Sequence, residues 1–320
     1  MMLVVPSLWA QTIAQTPRGI LAAHDGRIQL FDGSRRLWSA AGATNATAIV
    51  VGDRKAAVLD ALANEAHIVD LATGRVTVEK TGETPIDGAF VGDALYVLAR
   101  DARTLQNVRV AADPAFLRKA NGKLYVYGRA EGTVEEFDPA TKTIARRVKT
   151  AASASDFEVA GRFGYLTLPA DGKIVMLDLE TMQPHGEIAL GAVPVDLSIA
   201  KSPTIAVADP SAKRVWMVEG AQSMTQAVTR GFIRGLLGLG LYANRNSQFP
   251  TAVDRVFVRG SQWIAYDSSS GTLYRFTRSG STILAKRVAP KAFIVTEQGA
   301  YVWRNDRGMP VAVGSDQHDR

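Results

Sequence analysis

The sequence predicts an all-β fold: a seven-bladed β-propeller of four-stranded antiparallel blades, closed by pairing N- and C-terminal strands in one sheet. Three observations carry this expectation. A short motif recurs at a near-constant interval. Each copy opens a series of short apolar strands punctuated by Gly, Asp, Asn and Pro. No stretch between strands has the length and periodicity of a helix, which a parallel α/β fold would need.

The repeat is clearest where Thr47-Ala-Ile-Val-Val-Gly-Asp53 aligns with Asp87-Gly-Ala-Phe-Val-Gly-Asp93, and each is followed at once by an apolar strand. First strands of blades are read at 47, 87, 116, 156, 196, 254 and about 293. Third strands follow, often closed by an Asp and a turn, as in His67-Ile-Val-Asp-Leu-Ala-Thr-Gly74 and Lys173-Ile-Val-Met-Leu-Asp178. A single four-stranded sheet cannot bury both faces; stacking against two neighbours buries them. Near the N-terminus, Ile20–His24, Arg27–Phe31 and Arg36–Trp38 read as the outer three strands of one blade. Phe293–Thr296 would supply its first strand and close the fold; the strand around Tyr301 is then left over or replaces the one at Ile20, and eight blades is the lesser alternative.

Two intervals depart from the 40-residue spacing. The short one, 87 to 116, predicts a third blade that has lost a strand, with Thr104–Val110 as its last full strand. The long one, 196 to 254, holds an insertion. Lys173–Gly191 aligns without gaps on Lys213–Gly231, so blade six is read as complete by Gly231 and the insertion as 232–249, between blades six and seven.

Composition narrows function mainly by exclusion. With 47% apolar and 21% charged residues, the 320-residue chain can build a sizeable core without cross-links. It has no cysteine, which excludes a disulfide framework, thiolate metal sites and a cysteine nucleophile. The net charge of +6 is mild for this length and reads as a solubility feature. Residues 1–16 are read as a signal-peptide remnant or N-terminal segment, from the apolar run that ends at Ala10 before polar Gln11. That reading places the protein in the periplasm or outside the cell; without a signal it would be cytoplasmic. The propeller domain is assigned to 17–310 and a polar tail to 311–320. No stretch reaches the ~20 apolar residues of a membrane span.

The blade motifs themselves, Leu95-Tyr-Val97, Leu124-Tyr-Val126, the Asp70-to-Gly74 turn and Pro194-Val-Asp196, resemble the YVTN-type propellers, including the YncE-like group. The resemblance implies an extracytoplasmic binding or scaffold protein and no particular chemistry. The Trp-Asp repeat signature, the Asp-box of sialidase propellers and tryptophan-docking motifs for quinone cofactors are absent.

Two groups of residues are candidate sites. Phe232, Ile233, Leu236, Leu237 and Leu241 fall on one face of a marginal helix, with Arg234 and Tyr242 beside them. Such a segment could plug the fold, bind a protein partner or small ligand at the channel mouth, or touch a membrane surface. Asp87, Asp156, Asp196 and Asp254 occupy equivalent places at the starts of first strands. They either cap local backbone N–H groups or converge to hold Ca²⁺ or Mg²⁺. No other cofactor is implied. The leading functional expectation is a binding or scaffold module; the alternative is a metal-assisted hydrolase or lyase using the acidic mouth. Two basic clusters, Arg118/Lys119/Lys123 and Arg146/Arg147/Lys149, read as protected blade edges, and no aromatic-interleaved motif points to nucleic acid.

Overall fold

A computed structural model describes residues 12–200, 204–219, 245–277, 280–290 and 292–314. Its strands form eight antiparallel sheets, each from one contiguous stretch of chain. In order they span 13–41, 46–80, 85–109, 114–149, 156–189, 196–248, 255–285 and 293–313. These are blades one to eight. Among the described residues the first seven have four strands and the last has three.

The expectation of seven blades is therefore corrected to eight. Ile13–Thr16 pairs with Gly19–His24, so blade one has its own first strand, drawn from the segment read as a leader remnant. Blade eight consists of Phe293–Thr296, Gly299–Arg304 and Met309–Val313. The strand at Tyr301 that was left over in the seven-blade reading is its middle strand. The expected sharing of one sheet by the two chain ends does not occur among the described residues.

The alternation of apolar residues explains why the sheets stack. In the second strand of blade two, Lys55–Asp60, residues 56 to 59 are all fully buried. Successive side chains of a strand point to opposite faces. Ala56 and Val58 accordingly join a cluster with Leu21, Ile28 and Leu30 of blade one, while Ala57 and Leu59 join one with Phe90, Leu95 and Val97 of blade three. A strand apolar on both faces is what a blade with two neighbours requires.

One turn recurs. The carboxylates of Asp60, Asp70, Asp178 and Asp267 each accept from the N–H groups two and three residues on. The residue four positions on is left-handed in every case: Asn64, Gly74, Met182 and Gly271. Asp209 varies the pattern, accepting from the Ser211 hydroxyl and the Ala212 N–H, with Lys213 left-handed at φ of 52°.

Blade three retains four strands, contrary to the expected loss of one. Its outer two are reduced to Thr104–Leu105 and Val108–Arg109. The short interval in the sequence comes from this clipped hairpin.

Blade six places the insertion differently from the sequence reading. Its third strand is Arg214–Glu219 and its fourth is Arg245–Gln248, paired from Arg214↔Gln248 to Met217↔Arg245. The extra residues thus lie, in sequence, between the third and fourth strands of one blade and not between blades. The register also fixes the end at which they leave. Ile199 pairs with Ile205 and Thr204 with Glu219, whereas Asp196 pairs with Ala208 at the opposite end of the sheet.

The chain divides into two compact units. One contains residues to 147, 289–294 and from 300 onward; the other contains 148–288 and 295–299. No helix among the described residues is long and apolar enough to cross a membrane.

Candidate functional site

The first strand of a blade has a sheet neighbour on one side only. Alternate N–H groups on its free edge are buried against the next blade and need acceptors. The aspartates at the starts of first strands supply them. In the first unit, the Asp87 carboxylate of blade three accepts from the Leu117 N–H of blade four at 3.1 Å and from the Arg118 guanidinium at 3.2 Å. It also accepts from the Gly88 N–H at 2.8 Å. In the second unit, Asp156 of blade five accepts from Leu197 N–H of blade six at 3.0 Å and from Phe157 N–H at 2.8 Å. Asp196 of blade six then accepts from Val256 N–H of blade seven at 2.8 Å and from the Arg255 guanidinium at 2.7 Å. Two residues on, the Ser198 hydroxyl oxygen accepts from Val258 N–H at 2.9 Å.

These side chains stitch first strand to first strand. Burial raises the Asp87 carboxyl above the ordinary range, overcoming the nearby Arg118 charge and the N–H donors. Burial pushes Asp196 up to about 7; Arg255 opposes the shift and the Asp156 charge adds to it. Only 10% of the Asp196 side chain is exposed. Asp254 behaves differently: it turns back into its own blade and accepts from the Ser268 N–H at 3.0 Å and the Ser268 hydroxyl.

The four predicted ligand positions are thus engaged in backbone and arginine bonds. Asp156 and Asp196 are close enough to repel each other, and Asp254 faces Ser268. Among the described residues, no group of three or more His, Asp or Glu side chains is arranged to hold a metal ion. The predicted contact residues Phe232, Ile233, Arg234, Leu236, Leu237, Leu241 and Tyr242 lie outside the described residues.

Sequence reasoning located the aspartates but not their partners. A backbone N–H in the next blade leaves no mark in the sequence. Arg118 was visible only as part of a basic cluster, and the structure places that cluster on acceptors: Arg118 on Asp87, Lys119 on the Phe90 carbonyl at 2.7 Å, and Lys123 on Asp138 at 2.6 Å. Arg146 and Arg147 pair with Glu136 and Glu135, two buried carboxylates that the sequence did not single out. Glu135 also accepts from the Ala111 N–H at 2.8 Å, another tie from blade four toward the chain that leads into it.

These stacked sheets and their ties are those of a β-propeller, and solved structures share the fold. BamB from Moraxella catarrhalis superposes with a TM-score of 0.62 over 94% of this chain and 95% of that one, at 15% identity. Hydrazine synthase from Kuenenia stuttgartiensis gives 0.55 over 89% and 98%, at 14% identity. The Pan2 WD40 domain of Neurospora crassa gives 0.53 over 80% and 85%, at 13% identity. No protein-family description and no curated protein matches the sequence. The chain thus has the fold of a β-propeller, with eight blades.

Proposed function

We propose that this propeller is an extracytoplasmic binding or scaffold module of the YVTN-type, YncE-like group, and that it engages a protein partner or small ligand through the segment inserted in blade six. One observation carries the reading. Blades four and five turn from third to fourth strand within 139–142 and 179–182, whereas in blade six residues 220–244 stand between the same two strands. The fourth strand still pairs normally after them. A sheet that closes without the inserted residues leaves them available for another task, and loops on a rigid scaffold commonly carry binding. The sequence of the insertion suits contact: Phe232, Ile233, Leu236, Leu237, Leu241 and Tyr242 with Arg230, Arg234 and Arg245, and no acid between 220 and 249. Propellers of this type are commonly protein-interaction scaffolds, which agrees with the reading.

The test replaces 221–243 with an Asn-Gly turn and places a photo-crosslinking residue at Leu237 in the intact chain. Specific adducts at Leu237 that are missing from a control at Leu62, together with an unchanged melting curve of the deletion variant, are the expected result. A deletion variant that no longer melts cooperatively would make the segment part of the fold and defeat the reading. Binding of the intact chain to anionic vesicles, lost on deletion, would assign it to a membrane surface instead.

A further inference from the structure

We propose that the clipped outer half of blade three is a docking site for an extended peptide segment of a partner protein, which adds as a strand beside Ala94–Tyr96, the part of the second strand that the third strand leaves uncovered. The site lies on a different blade from the inserted segment and does not rest on that reading.

In blade two, the second strand is paired along its whole length by the third, from Lys55↔Asp70 to Asp60↔Glu65; blade five does the same from Phe163↔Asp178 to Leu168↔Lys173. In blade three the third strand meets only Leu98 and Ala99. Gln106 and Asn107, with φ of 47° and 68°, then turn the chain straight back. Two successive left-handed residues make the tight hairpin turn whose twist suits antiparallel strands. The last bond of this hairpin to the second strand runs from the Gln106 N–H to the Val97 carbonyl at 3.3 Å. Antiparallel strands alternate the direction of their backbone groups. The N–H and C=O of Leu95 therefore point, like those of Val97, toward the side where no strand follows.

That edge is also unprotected. Natural edges are blocked with charge or proline, and here the outermost strands of blades one, two and four carry Arg35 and Arg36, Glu79 and Lys80, and Arg146 and Arg147. Ala94-Leu-Tyr-Val-Leu-Ala99 carries neither, although its side chains from Leu95 onward are buried, and the outermost strand of blade three carries Arg109 alone.

A cleft of about 50 Å³ opens beside the edge, between blades two and three, lined by Leu95, Val97, Gln106, Asn107, Glu79 and Thr81. A cleft of that size has room for a small side chain. Lys80 also borders it, but its amino group is held by Glu65 at 2.8 Å. Glu79 has no cation within ion-pair distance among the described residues, so the uncompensated charge of the wall is negative. Together these features describe one occupant: a β-strand whose main chain satisfies Leu95, with a small residue facing the cleft and a lysine or arginine beside Glu79. Strand addition of this kind draws affinity from the main chain and specificity from alternate side chains.

The test uses the full chain with a capped synthetic peptide, Thr-Val-Lys-Val-Thr, and its counterpart with glutamate in place of lysine. Hydrogen exchange at Leu95 and a binding titration are followed. A second variant inserts four residues on either side of the Gln106–Asn107 turn, so that the chain's own hairpin covers the edge. The lysine peptide is expected to slow exchange at Leu95, to bind at least tenfold more tightly than the glutamate peptide, to weaken to a similar degree in Glu79→Lys, and to lose binding in the lengthened variant. Unchanged exchange at Leu95 with millimolar peptide, or equal binding by the lengthened variant, would overturn the proposal. Protection of Leu95 that rises with protein concentration alone would overturn it too, by assigning the edge to a second copy of the chain.

Discussion

Asp196 offers a direct test of whether the buried carboxylates act as ties. Substitution by Asn keeps the shape and removes the charge. The wild-type carboxyl titrates at about 7 in the fold, against 3.8 in the unfolded chain. Ionising it in place therefore costs about 4 kcal/mol more than in water. The folded protein holds this proton more tightly than the unfolded chain does. The contribution to stability is thus complete below pH 3.8 and is lost as pH rises to about 7. Between pH 5 and pH 7 alone the loss amounts to about 2–3 kcal/mol. Asn at 196 cannot titrate, and its amide sets an NH2 donor against either the Arg255 guanidinium or the Val256 N–H, where both oxygens of the carboxyl accept. At pH 5 the variant is expected to be less stable than wild type by about 1–2 kcal/mol. By pH 8 the difference should vanish or reverse. Urea unfolding followed by tryptophan fluorescence at several pH values reads both curves. Parallel curves from pH 5 to pH 8 would refute the reasoning, because they would mean that Arg255 keeps Asp196 ionised throughout.

Other consequences follow from single positions. Lys142 and Lys213 are held at φ of 55° and 52° on exposed turns; glycine there should raise the unfolding free energy by about 1 kcal/mol, read as a later urea midpoint, and a loss would contradict the assigned turn. A Cβ added at Gly128 would lie 2.5 Å from the Ala111 Cβ, so Gly128→Ala should destabilise by about 1–3 kcal/mol; a neutral result would show that the chain entering blade four can shift. Asp267 is held below its usual range by the Ser269 and Ser270 hydroxyls and the Ser270 N–H despite burial, so its contribution is present above pH 3.8 and lost as pH falls. Asp267→Ala should cost about 1–2 kcal/mol at pH 7 and flatten the acid limb of unfolding; an unchanged acid limb would remove Asp267 from the account.

Much of the blade pattern is legible in the sequence. First strands read at 47, 87, 116, 156, 196, 254 and 293 start in the structure at 46, 85, 114, 156, 196, 255 and 293. The missed eighth is Ile13–Thr16. It has four residues, too few for a clear alternation, and it follows an apolar run that resembles a leader. The fourth strand of blade six was missed for a related reason. Arg-Asn-Ser-Gln has no apolar period, because an outermost strand is held by its backbone ladder and one face of it is wet. Gapless alignment with blade five then carried the reading past the true insertion point. At the candidate site, aspartates at strand starts could be found by position. Their roles could not, since the groups they serve are main-chain N–H of another blade.

The contiguity of each sheet also bears on how the chain comes into being. Among the described residues, every hydrogen-bonded ladder joins strands that are neighbours in sequence, and none waits for the opposite terminus. Such local pairing favours fast folding, and during synthesis each blade can complete its ladder soon after its last strand leaves the ribosome. Only the stacking of blades must wait: for most of them until the next blade, about 30 to 60 residues on, and for blade one, whose His24 and Phe31 rings meet Trp303 of blade eight, until the chain is nearly complete. It follows that blade number is a loosely constrained quantity in this architecture. Duplication or loss of one contiguous segment changes the count by one without unpairing a single strand elsewhere, so seven and eight lie one recombination event apart.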